Sequence, residues 1–329
     1  MPTTMKLNTK INRVNTRINR VPPKKKPAKK QPKGNSPMVV EKQLPVKNII
    51  EVIQPVINLF TDPNAKPVEK KALLVGINYI GTSAQLSGCI NDIINMKNNL
   101  IQNYGFQESN IVLLTETSKN KKPTKENIIK YISQLIDNNH SNSHLVFHYS
   151  GHGSNVKDTN HDEVDGRDET ICPLDYGSAG FITDDQLYNI LVRPLKSKAK
   201  LTCIFDSCHS GTILDLKYTY RLDAKASESA SKYFISTLTN YFVPNADVVV
   251  YSGCLDKQTS ADTSFDGSAQ GALTYCFLET LKRLRTGGKN FTIKKVIKNL
   301  TLLMAEKQFS QIPQISTSFP SDLNTICDF

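Results

Sequence analysis

Two apolar runs, each stopping abruptly in a glycine-bounded polar turn, constrain this chain more than any other feature. Leu201–Phe205 has no polar face, as in a parallel strand buried on both sides. It ends at once in Asp206-Ser207-Cys208-His209-Ser210-Gly211. His144–Tyr149 is a second such run, closed by Ser150-Gly151-His152-Gly153. Small polar residues and a glycine after a buried strand make a tight turn at its carboxyl end. Open α/β sheets carry their chemistry there. One tip offers a cysteine and the other a histidine, 56 positions apart.

A cysteine on such a turn is partly exposed and held by a rigid strand, as a nucleophile needs to be. A neutral imidazole can take the thiol proton or stabilise the thiolate, and later protonate a leaving amine. Cys208 and His152 are therefore the candidate catalytic pair. Gly153 has no side chain, so its N–H can approach a developing oxyanion beside the N–H of Cys208. His209 is the other histidine near the cysteine, but a residue adjacent to the nucleophile points elsewhere. His148 alternates along its strand and reads as packed.

The rest of the body repeats one rhythm. Ala72–Ile77 reads as a first buried strand, and residues 89–103 as a helix gathering Ile90, Ile93, Ile94, Met96 and Leu100. Ile111–Leu114 is a second strand. Thr124 caps a helix running to Ile136. A helix is expected from Thr183 to about Leu195, a strand over 247–252, helices over 270–285 and 292–306, and an extended piece over 313–319. Strands alternating with helices imply an α/β fold, a mostly parallel sheet sandwiched by helices.

Charge divides the chain. The net charge is +11, yet residues 1–47 alone hold thirteen Lys/Arg against the single acid Glu41. The remainder is nearly neutral. Residues 1–69 read as a basic, Pro-containing leader and 70–329 as the catalytic body. Ile11, Val14, Ile18 and Val21 fall at spacings of 3, 4 and 3. The leader is either a disordered arm or a helix for a membrane surface, a nucleic acid or another anionic partner, or organelle targeting. Residues 38–66 either cover the body as a lid or simply connect.

The seven cysteines include no C-x-x-C pair, against zinc ribbons and thioredoxin-like redox sites. Scattered core thiols fit a reducing compartment. No apolar run approaches the ~18 residues of a membrane span. The start of the chain lacks the apolar stretch of a secretory signal. A cytoplasmic or nuclear monomer that is not secreted is expected.

Acidic residues crowd between Asp158 and Asp185, nine carboxylates against Arg167. Such crowding suits a hard divalent cation with oxygen ligands, or is a solvated acidic loop. The spacing is not that of an EF-hand.

Five motifs in order resemble the metacaspases, relatives of the caspases among cysteine peptidases. They are Ala72-Leu-Leu-Val-Gly-Ile-Asn-Tyr79, Leu86-Ser-Gly-Cys-Ile-Asn-Asp92, Tyr149-Ser-Gly-His-Gly153, Asp165-Gly-Arg-Asp-Glu169 and Asp206-Ser-Cys-His-Ser-Gly211. The basic leader and the short run between Cys208 and the strand at 247 look like type I members. The resemblance implies a caspase-like fold and a Cys/His dyad cleaving after Arg or Lys. It implies no organic cofactor and, in many members, activation by calcium. It places Cys89, Asp92, Ser150 and Asp206 in the pocket for the Arg or Lys side chain. Without it, Asp206 reads as a turn-stabilising aspartate and Asp92 as a first-turn residue favoured by the helix dipole. It carries calcium ligation onto Asp168, Asp184, Asp185 and Asp215. Self-cleavage at Lys217, Arg221 or Lys225, or in the leader, is expected if those bonds are exposed. The competing reading is a catalytically weak scaffold of the same fold whose output is binding.

Overall fold

A computed structural model describes residues 66–158, 166–208, 210–222, 233–237, 244–253, 262–265, 268–288, 290–320 and 322–329. Residues 1–65 of the leader, the carboxylates at 162, 163 and 165, His209, Lys225 and Cys254 lie outside the described residues.

The expected parallel strands form and stack side by side. They are β1 (Glu69–Gly76), β2 (Ile111–Thr115), β3 (Ser143–Ser150), β7 (Lys200–Asp206) and β10 (Asp247–Ser252). All their mutual pairings are parallel, in the order β2-β1-β3-β7-β10. The sheet then continues through three antiparallel strands: β13 (Gln314–Thr317), β8 (Tyr218–Leu222) and β9 (Tyr233–Thr237). The extended piece after Pro313 is thus an inner strand of an eight-stranded sheet.

Strand residues alternate between two cores, as a sheet covered on both faces requires. Leu74, Val146 and Ile204 pack on the side of α1 (Cys89–Tyr104), α5 (Ala272–Thr286) and α6 (Ile293–Glu306). Leu73, Val75, Phe147, Cys203 and Phe205 pack on the side of α2 (Lys125–Ile136). Two short helices, α3 (Tyr176–Ala179) and α4 (Asp184–Leu187), complete the set. Thr124 caps α2 by accepting from the Asn127 N–H, and Thr292 caps α6 through the Lys295 N–H. In α1, Ile93, Met96 and Leu100 are buried, whereas Ile94 faces solvent.

Two expectations need correcting. The helix begun at Thr183 has a capping box but stays α-helical only to Leu187. It widens to a π turn over Tyr188–Val192 and stops before Pro194, which cannot continue it. The acidic segment is not a solvated loop where it is described. It forms a small antiparallel sheet of β4 (Gly153–Lys157), β5 (Arg167–Ile171) and β6 (Ile182–Thr183). Asp168 and Glu169 on β5 are buried. A two-stranded ribbon, β11 (Asp262–Phe265) with β12 (Ser268–Gly271), leads into α5.

Candidate active site

The two tips meet because their strands are neighbours in register. Ser150 on β3 faces Asp206 on β7, and the Gly151 N–H donates to the Asp206 carbonyl at 3.3 Å. His152 and Cys208 each stand two residues beyond that matched pair. Contact continues past it: a Cβ on Gly153 would overlap the Cys208 carbonyl oxygen and crowd Ser207. Only glycine fits there. Both His152 and Cys208 are half-buried, and neither is sealed from a peptide.

Hydrogen bonds set the imidazole's state. The His152 Nε2 atom is 2.7 Å from the Ala84 carbonyl oxygen. A carbonyl only accepts, so Nε2 carries the hydrogen and Nδ1 of the neutral ring holds the lone pair. The ring lies against Tyr79, with centroids 4.8 Å apart. Behind it, the buried hydroxyls of Tyr79 and Tyr149 are 3.1 Å apart. The Tyr79 hydroxyl accepts the His152 N–H at 3.1 Å, and the Tyr149 hydroxyl donates to the His152 carbonyl at 2.7 Å. Both tyrosines lie inside the quoted motifs, but nothing in the sequence pairs them.

The Gly153 N–H is oriented by the small sheet. Cys172 N–H donates to the His152 carbonyl at 3.1 Å, so Gly153 and Ile171 form a non-hydrogen-bonded antiparallel pair. In such a pair the residue's own N–H faces away from the partner strand. The Gly153 N–H is therefore not used by β5.

The Cys208 turn is pinned at several points. Ser210 Oγ donates to the Ser207 carbonyl at 3.0 Å, and Gln314 Nε2 donates to the Gly211 carbonyl. Thr212 Oγ1 donates to Glu169 Oε2 at 2.7 Å. The nearby thiol of Cys172 is pushed up to about 12, first by burial and then by the charge of Cys208. Burial likewise raises Cys203 and Cys276. Those thiols stay protonated near neutrality and do not compete as nucleophiles.

Asp92, Ser150 and Asp206 also come together. Asp92, on the first turn of α1, accepts from Ser150 Oγ at 2.7 Å and from the Gly271 N–H at 3.0 Å. Asp206 accepts the Thr274 N–H at 2.7 Å. A Cβ on Gly271 would overlap carboxylate oxygens of both aspartates. Two buried carboxylates thus converge on the N-terminus of the 15-residue α5, whose N–H groups and dipole favour negative charge. Gly271 and Thr274 went unnoticed in the sequence because nothing local marks them. Cys89 opens α1 and is buried, with its N–H held by Asn78 Oδ1 at 3.0 Å.

Among the described residues, one group of side chains can hold a metal: Asp168, Asp184 and Asp185, whose ligand oxygens lie within 4.8 Å of one another. Asp215 is not in that group. It sits past the Cys208 turn with φ 42°, near Tyr188. Burial, then the charge of Asp168, pushes Asp184 up to about 7, although it accepts the Glu169 and Asp185 N–H groups. Three carboxylates held this close without a cation repel. The all-oxygen donor set fits a hard divalent ion.

Residues 70–217 match the family model described as "Metacaspase, peptidase C14 domain". The chain is 38% identical over 297 residues to Metacaspase-1 of Schizosaccharomyces pombe, covering 78% of this chain and 69% of that one. It belongs to the metacaspase family. Metacaspase-1 of Meyerozyma guilliermondii is 40% identical over 295 residues, covering 78% and 71%. A crystal structure of a Geobacter sulfurreducens protein shares the fold, with a TM-score of 0.55 and 24% identity over 78% of this chain and 97% of that one. The metacaspase fold and membership of a cysteine-peptidase family are thereby established. No helix among the described residues of this metacaspase is long and apolar enough to cross a membrane.

Proposed function

We propose that this metacaspase is an endopeptidase that cleaves after Arg or Lys, with Cys208 as nucleophile and His152 as its acid–base partner. The observation that carries the reading is the meeting of the two strand-end tips, with Ser150 opposite Asp206 and Gly153 against the Cys208 carbonyl. Nδ1 of His152 takes the thiol proton. The Cys208 thiolate attacks the scissile carbonyl carbon, and the N–H groups of Gly153 and Cys208 receive the oxyanion. The imidazolium then protonates the leaving amine, and water hydrolyses the thioester. Asp92 and Asp206 attract a guanidinium or ammonium and repel an acidic side chain.

Calcium is the proposed activator, with Asp168, Asp184 and Asp185 as ligands. When bound, it would supply positive charge that relieves their repulsion and stiffens β5. Glu169 on β5 is tied to the Cys208 turn through Thr212. Asp215 stands outside the cluster and is not among the proposed ligands. Arg221 is a poor site for self-cleavage. That residue is paired on both sides within β8, opposite Gln314 and Phe234, and cannot extend into a cleft without unpairing the sheet. Lys217, just before β8, remains available, half-buried with Nζ over the Tyr218 ring.

The test is hydrolysis of reporter peptides with Arg, Lys or Asp at the cleavage position, with calcium and with a strong chelator. Arg and Lys reporters are expected to be cut only with calcium and only when Cys208 is intact. Faster cleavage of Asp reporters, or activity retained in Cys208→Ala, would reject the reading.

A further inference from the structure

The strand β1 leaves the sheet beside the end of β2, with Gly76 in register with Thr115. Glu116 follows β2 directly and reaches across to the departing chain. Its Oε2 accepts the N–H groups of Asn78 at 3.0 Å and Tyr79 at 2.9 Å, and its Oε1 accepts that of Ile80 at 2.9 Å. Three successive N–H groups around a left-handed residue form an anion-binding nest, and Glu116 fills it. The left-handed residue is Tyr79, with φ 51°. A bulky aromatic adopts that conformation only where its surroundings over-determine it.

The segment held this way is the one that grips His152. The Tyr79 ring lies tilted against the imidazole and its hydroxyl accepts the His152 N–H, and the Ala84 carbonyl accepts Nε2–H. The segment also closes on itself. The Thr82 N–H bonds the Tyr79 carbonyl at 3.1 Å, Gln85 bonds Thr82 at 3.3 Å, and Leu86 bonds Asn78 at 2.7 Å. Residues 78–86 therefore move as a unit. Any displacement at the nest carries both the Tyr79 ring and the Ala84 carbonyl with it.

We propose that Glu116, through its three hydrogen bonds to Asn78, Tyr79 and Ile80, is the positioning residue for the His152 imidazole. It makes no hydrogen bond to His152 itself. It fixes where Nδ1 faces by fixing the loop that holds Nε2. The carboxylate is needed because three donors require acceptors on both oxygens. A glutamine would turn an NH₂ toward one of the N–H groups.

The inference rests on the Cys208/His152 reading, and the test separates the two. The second-order rate of Cys208 alkylation by iodoacetamide, in calcium-containing buffer, is measured for the wild type, E116Q, H152A and the double variant. A residue that acts only through His152 has no effect once the imidazole is gone. E116Q is expected to slow alkylation about tenfold when His152 is present and less than twofold in H152A. On an Arg reporter, kcat is expected to fall in parallel while KM stays within twofold. Equal slowing in both backgrounds would overturn the proposal, as would an E116Q rate within twofold of wild type. Equal rates for the wild type and H152A would overturn the dyad reading and this inference together. If E116Q fails to fold by circular dichroism, E116D carries the test. It keeps the charge but is too short to span three N–H groups, and the same contrast between backgrounds is expected.

Discussion

At the scale of single residues, the site depends on one glycine and one buried histidine as much as on the reacting pair. Gly153 lies so close to the Cys208 carbonyl that any side chain must displace one tip from the other. Misplacement by about 1 Å costs about a hundredfold in rate. Gly153→Ala is therefore expected to lower kcat on an Arg reporter about a hundredfold while the melting temperature moves by only a few degrees. His148 is a different kind of constraint. It is fully buried on β3, with Nε2 3.2 Å from Thr274 Oγ1, and burial pushes it down to about 3. Below its unfolded value of 6.5, the unfolded chain takes a proton that the native state refuses. Stability is thus fully present above pH 6.5 and is lost as pH falls toward 3, by up to about 1.4 kcal/mol per pH unit. Urea midpoints at pH 7.5 and 5.0 should show the loss, and His148→Asn should flatten it.

At the scale of elements, the proposed specificity pocket is assembled by a helix the sequence did not connect to it. Asp92 comes from α1 and Asp206 from β7. They converge only because α5 starts between them with Gly271 and Thr274. Removing one charge should weaken a guanidinium contact by about 1.5–3 kcal/mol. Asp206→Asn is expected to reduce kcat/KM for Arg reporters about tenfold or more relative to an uncharged control peptide. The parallel strands and both tip turns were legible because buried parallel strands are continuous apolar runs and their ends are marked by glycine. Neither β4 nor β5 was legible, because Gly-Ser-Asn-Val-Lys and Arg-Asp-Glu-Thr-Ile have no apolar period. They form strands by pairing with each other. Of the three antiparallel strands, only β13 was legible, as the extended piece after Pro313, while β8 and β9 were not. β8 and β13 meet through pairings such as Arg221 with Gln314, more than ninety positions apart in the chain. Glu116 lies 36–38 positions from the N–H groups it accepts and Tyr79 lies 70 from Tyr149, and no local spacing encodes either contact.

At the scale of the whole molecule, a small acidic sheet lies beside the main one and is joined to the Cys208 turn by Glu169 and Thr212. Cation binding to Asp168, Asp184 and Asp185 should therefore stabilise the fold and not only the site. A ligand that binds only the native state at a hundred times its Kd adds about 2.7 kcal/mol. Calcium at saturating concentration is expected to raise the melting temperature by a few degrees. Asp184→Asn together with Asp168→Asn should abolish the rise, and a shift that survives both changes would place the ion elsewhere. In the proposed reaction the Cys208 sulfur, served by His152 beside two carboxylates, attacks the carbonyl that follows a basic residue. The most direct test is labelling with a peptidyl arginine fluoromethyl ketone, located by mass spectrometry. A single adduct on Cys208 is expected, formed far more slowly in H152A and not formed with the aspartyl analogue. An adduct on another cysteine, or equal labelling by the aspartyl reagent, would contradict it.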